Sequence, residues 1–256
     1  MAAEWGIGMG IVIGLLAFFL EYMDASLGMG YGTTLTPILL LIGFEPLQVV
    51  PAVLVSQLVA GITASFFHHR LENVNFRRGQ RDLNIMLVLV FFGIGGVVPA
   101  VLIAVKIPAL VLKVYIGALV LAIGVFMLVT INKHFTFSWK KIVALSLIAS
   151  FNKGISGGGY GPLVTGGQIL SGVDGKRAIG ITTLSEVLIT VAAVSSYLAL
   201  KNATDWSLTP YLVVGAVLST PFSAFTVRSI DARILRFGIG SLTSILGFLM
   251  LVKIFL

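Results

Sequence analysis

The stretch Phe151–Pro162, FNKGISGGGYGP, sets five glycines, a proline and a lysine between two apolar runs. Glycine inside a helix costs about 1 kcal/mol relative to alanine, so five of them in twelve residues predict an interrupted helix. Lys153 puts a positive charge at the interruption. The rest of the chain says what surrounds it. Of 256 residues, 57% are hydrophobic and only 11% are charged, where a soluble domain carries roughly 25%. Apolar runs near twenty residues recur along the chain, the length that crosses a hydrocarbon core of about 30 Å as helix. The sequence predicts an all-α polytopic membrane protein whose surroundings are the lipid bilayer.

Ten apolar segments are readable, at about 5–24, 28–42, 47–69, 83–105, 110–130, 139–154, 158–171, 177–200, 207–228 and 233–255. The first lacks a basic lead and a small-residue cleavage site, so it reads as a retained helix. The second and seventh are short, and each follows a glycine cluster: GMGYG at 28–32 and GGGYG at 157–161. The clusters lie 129 residues apart, and the register continues beyond them. Thr36 falls on Thr165, Gly43 on Gly172, Glu45 on Asp174, Ser56 on Ser185 and Gln57 on Glu186. Further on, VVPA at 97–100 meets STPF at 219–222, and LKVYIG at 112–117 meets LRFGIG at 235–240. The expectation is a duplication, 1–130 and 131–256, of five segments each, forming one membrane unit.

The formal charge of +7 sits in short loops, not on a nucleic-acid face. Arg70–Arg81, Lys133–Lys141, Lys176 with Arg177, and Arg228–Arg236 all fall on one side of a ten-segment topology. Basic loops mark the cytoplasmic side, which puts both termini outside. Five segments per half invert the second half relative to the first, the inverted-topology arrangement of secondary transporters. There are no cysteines, so no disulfide or thiolate site exists. No ATP-binding or metalloprotease motif appears, and no cofactor, metal site or enzymatic activity is expected.

In an inverted repeat, substrate sits near the midplane at interrupted helices, whose N-terminal amides favour an anion. This makes Gly28, Gly30, Tyr31, Gly32 and Thr33 in the first break, and Ser156, Gly157, Gly158, Gly159, Tyr160 and Gly161 in the second, candidates for substrate binding. Lys153 would complete a cationic pocket. Asp24 falls on Lys153 in the repeat register, predicting an ion pair or a gate between them. Thr34, Thr165 and Gln168 are further polar groups near the breaks. Glu186, mid-segment in ITTLSEVLIT with neutral Gln57 as its mate, is the candidate proton carrier, because a buried carboxylate can hold a proton. Glu21 and Asp24 share a helix face and read as lying near a wet outer end. His68 and His69 read as interfacial. Gly93, Gly96, Gly117 and Gly124 read as helix-packing positions.

The two long motifs, GMGYGTTLTPILLLIGFEPLQVVPAVLVSQLVAG and SGGGYGPLVTGGQILSGVDGKRAIGITTLSEVLIT, resemble the duplicated motif of the TauE/SafE family of sulfite exporters. The resemblance covers nearly the whole chain. It implies a bacterial inner-membrane transporter of sulfur-containing anions, either sulfite or small organosulfonates such as sulfoacetate. The residues by themselves leave open a cation or metal-ion exporter using Asp24, Glu21, Glu186 and His68. A non-transporting membrane subunit or intramembrane enzyme also stays open, as do proton coupling and homo-oligomerisation.

Overall fold

The computed structural model describes residues 6–27, 30–70, 80–131, 133, 137–200, 206–226 and 232–256, with backbone alone at 7, 27, 66–70, 224–226 and 232–236. Among these residues ten helices form and no strand does. They are α1 (Ile7–Leu27), α2 (Tyr31–Ile42), α3 (Pro46–Arg70), α4 (Arg81–Ala104), α5 (Ala109–Val129), α6 (Trp139–Ser156), α7 (Tyr160–Leu170), α8 (Gly175–Ala199), α9 (Thr209–Thr226) and α10 (Ala232–Phe255). Among the described residues, six are long and apolar enough to cross a membrane: α1, α3, α4, α5, α8 and α10. The outer surface fits lipid. Phe19, Phe91, Leu110, Val129, Phe222, Phe237 and Phe248 are all more than half exposed, and so broad an apolar surface would drive aggregation in water.

Lipid offers no hydrophobic force to press helices together, so close backbone packing through small residues takes over. Gly14 on α1 meets Gly215 on α9 backbone to backbone. Gly96 on α4 lies against the Leu147 carbonyl of α6. Gly117 and Gly124 on α5 lie against Leu251, Ser244 and Gly240 on α10, and Gly93 lies against Ile189 on α8. These glycines do the packing expected of them.

The helix pairing is the same when the halves are exchanged. α1 packs along α9 as α6 packs along α4, and α3 meets α9 as α8 meets α4. The pairs α5–α10 and α3–α8 map onto themselves. α3 and α8 are both 25 residues long and begin 129 residues apart, as α2 and α7 do. Gly43 and Gly172, which follow the two short helices, both have positive φ, at 118° and 80°.

Contacts between loops sort the bundle's two ends. Arg177 near the start of α8 grips Asp82 at the start of α4, and Arg81 stacks 3.9 Å from the centre of the Phe137 ring, just before α6. At the other end Lys113 of α5 pairs with Glu45 at 2.9 Å, and Lys253 of α10 donates to the Leu41 carbonyl at the end of α2. Arg81, Asp82, Phe137 and Arg177 thus share one end of the bundle, and Leu41, Glu45, Lys113 and Lys253 the other. The short helices have 12 and 11 residues. At about 1.5 Å per residue they are near 18 Å long, so each reaches from a central break to one surface and neither spans alone.

Candidate functional site

The two breaks meet. Each short helix starts from a left-handed glycine, Gly30 at φ 128° and Gly159 at φ 86°, a conformation other residues rarely adopt. A methyl group on Gly32 would run into the Gly157 carbonyl, and one on Gly158 would stand 2.5 Å from the Thr33 nitrogen. The close approach that these glycines permit is therefore between one break and the other. Thr33 Oγ1 accepts the Gly159 N–H at 3.1 Å, and Ser156 Oγ accepts the Gly158 N–H at 3.2 Å. Asp24 Oδ1 accepts the Tyr31 N–H at 3.3 Å, placing a carboxylate on the positive end of α2. Three of the amides that the sequence aims at a ligand are thus taken by the protein. Gly28 lies outside the described residues.

Both tyrosines are anchored alike. Tyr31 reaches Ser56 Oγ at 2.7 Å and Tyr160 reaches Ser185 Oγ at 2.9 Å. Each serine donates to a carbonyl three residues back, Val53 and Thr182, which leaves the tyrosine hydroxyls as donors. Ser56 and Ser185 precede Gln57 and Glu186, so each break is tied to the residue that reaches the centre.

Lys153 is that centre. It is fully buried, and its Nζ donates to Glu186 Oε1 and Gln57 Oε1, both at 2.8 Å. An ammonium out of water needs such partners. Its helix turn is held by Tyr115, which donates to Asn152 Oδ1 at 2.6 Å, and by Tyr197, which donates to the Gly154 carbonyl at 3.0 Å. The expected ion pair of Lys153 with Asp24 is replaced: Glu186 of α8 takes the lysine, and Asp24 takes the α2 N-terminus.

The charge balance also departs from a cationic pocket. Glu21, Asp24 and Glu186 line one cavity together with Gln57, Thr183 and the small residues Ala25, Gly61 and Ala64. Its volume is about 20 Å³, room for roughly one water. Three carboxylates therefore face it, against one lysine behind Glu186. Glu21 is 3% exposed, not wet, and its Oε2 has no hydrogen-bond partner among the described residues. Among those residues no three His, Asp or Glu side chains are grouped to hold a metal ion. The side chains of His68 and His69 lie outside the described residues. Thr165 is buried, and Gln168 donates to Thr182 Oγ1 at 2.9 Å, holding α7 to α8. Asp82 with Arg177 was not singled out from sequence; each reads there as one more loop charge.

Interrupted half-helices meeting beside a buried lysine, inside a polytopic helical bundle, are an arrangement of secondary membrane transporters. The family model described as sulfite exporter TauE/SafE matches residues 12–250, and the chain belongs to that family. It is 27% identical over 258 residues to the probable membrane transporter protein YtnM of Bacillus subtilis (strain 168), an alignment covering 95% of this chain and 81% of that one. No solved structure matches.

Proposed function

We propose that this transporter carries small sulfur-containing anions, sulfite or an organosulfonate such as sulfoacetate, outward across the bacterial cytoplasmic membrane. The halves 1–130 and 131–256 rock about the crossed breaks in alternating access, with the basic loops cytoplasmic and the termini outside. The observation that carries the reading is Lys153, a fully buried ammonium beside both breaks. The anion competes with Glu186 for Lys153 Nζ. Gln57 Oε1 stays as a neutral acceptor for the lysine, and Thr33, Ser156 and the tyrosine hydroxyls belong to the two breaks. The cavity holds one water as it stands, so anion entry requires the halves to part. Once displaced, Glu186 is a carboxylate without its cation, and it takes a proton. The inside-negative potential drives a net negative charge outward by about 2.3 kcal/mol per charge per 100 mV, which suits export.

The three carboxylates on the cavity favour a second reading, a cation exporter. Thermal stabilisation of the purified protein separates the two, because a ligand that binds only the folded state raises the melting temperature by mass action. Sulfite and sulfoacetate are run against sulfate, acetate, chloride, nickel and cobalt. The anion reading expects stabilisation by sulfite or sulfonate that is lost in Lys153→Ala. Stabilisation by metal ions alone would replace it with the cation reading.

A further inference from the structure

We propose that Glu21 holds a proton at neutral pH and is the donor that protonates Glu186 when the anion draws Lys153 away. Three carboxylates around one cavity are compensated unequally. Glu186 has the Lys153 ammonium at 2.8 Å. Asp24 has the Tyr31 N–H and the positive end of α2. Glu21 has neither: it is buried, its Oε2 is unpartnered, and its charged neighbours are Asp24, Glu186 and Lys153. The lysine is already engaged by Glu186 and Gln57. A buried carboxylate with two anionic neighbours and, among the described residues, no donor on its buried Oε2 is favoured there as the neutral acid.

Among the described side chains of the helices packed on α1, no further cation faces Glu21. Tyr31 faces Glu21 from α2 with its hydroxyl on Ser56, and Tyr211 of α9 packs at the far end of α1, on Gly10. Gln57 of α3 is uncharged, and the side chains of His68 and His69 further along α3 are outside the described residues. Glu21 and Glu186 line the same cavity, which has room for roughly one water between donor and acceptor. The transfer balances: the Glu21 O–H breaks, an O–H forms on Glu186, and Glu21 becomes the carboxylate, to be reloaded from the aqueous side.

The first half of the proposal is independent of the transported anion; the second half rests on the anion reading. Infrared spectroscopy of the purified protein, without substrate, is expected to show a protonated-carboxyl band at neutral pH. The band should shift when glutamate is isotopically labelled, vanish in Glu21→Gln and persist in Glu186→Gln. Absence of the band in wild type, its survival in Glu21→Gln, or its loss on exchanging choline for sodium would overturn the proposal. The labelling arm needs no variant, so a Glu21→Gln protein that fails to fold does not remove the test. With sulfite as the probe in liposomes, Glu21→Gln is expected to turn over about tenfold more slowly or worse. Unchanged turnover beside a lost band would refute the donor role alone. Failure of wild type to bind sulfite, with the band present, would count against the anion reading alone.

Discussion

Replace Lys153 with methionine and the apolar stem survives, but Glu186 loses its cation and is left either as a buried charge or as an acid that must take up a proton, and both outcomes cost stability. The ammonium is fully buried and the Glu186 side chain is 14% exposed, so screening by water is slight. Removing one partner of a buried pair costs about 3–5 kcal/mol; the part-exposed carboxylate places Lys153→Met near 3 kcal/mol. Glu186→Gln strands the lysine less severely, because Gln57 still accepts from it, and is expected to cost about 2 kcal/mol. The double variant Lys153→Met/Glu186→Gln has no buried charge left to strand. It should recover most of the sum, giving a coupling of about 2–3 kcal/mol. Reversible denaturant unfolding followed by fluorescence of Trp139 and Trp206 reads these differences; thiol dyes have nothing to label, since the chain has no cysteine. Additive single effects, with a coupling below about 0.5 kcal/mol, would refute the claim that Lys153 and Glu186 depend on each other.

Further predictions concern the crossing and the bundle ends. Gly32→Ala should cost at least about 1–3 kcal/mol, because the methyl meets the Gly157 backbone and no flexible side chain can yield. Gly166→Ala, which meets nothing within 4 Å, should be neutral or slightly stabilising by the same unfolding assay. Tyr31→Phe and Tyr160→Phe remove matched hydroxyl bonds and should cost about the same, roughly 1 kcal/mol each; a large disparity would contradict equivalent anchoring. Arg177→Ala removes the guanidinium partner of the buried Asp82 and should cost about 1–3 kcal/mol. Lys113→Ala, removing the partner of the exposed Glu45, should cost under about 1 kcal/mol.

The breaks were legible because glycine clusters followed by short apolar runs admit few other readings in a membrane chain. Loop charge alone put Arg81, Phe137 and Arg177 at one end, since each basic loop is short and flanked by long apolar segments. The register of Ser56 with Ser185 was visible as a repeat, but its purpose, anchoring the two tyrosines, needs the fold. The partner of Lys153 was not legible. Pseudosymmetry places Asp24 opposite it, yet which carboxylate reaches the ammonium depends on how α8 and α3 flank α6. Glu21 shows the same limit. Three residues from Asp24 on α1, it reads equally as a wet helix end or a buried acid, and only the packing of α9 and α3 over α1 decides. The glycines at 32 and 158 read as room for a ligand, and what they make room for is the opposite break.

The most direct test of the account is counterflow of radiolabelled sulfite in liposomes reconstituted with wild type, Lys153→Met and Gly166→Ala. The account predicts saturable exchange in wild type and Gly166→Ala, and exchange in Lys153→Met reduced at least about tenfold, the expectation when a charge-assisted partner of the ligand is removed. Undiminished sulfite exchange by Lys153→Met, at the same half-saturating concentration, would contradict the claim that the buried lysine is where the anion binds.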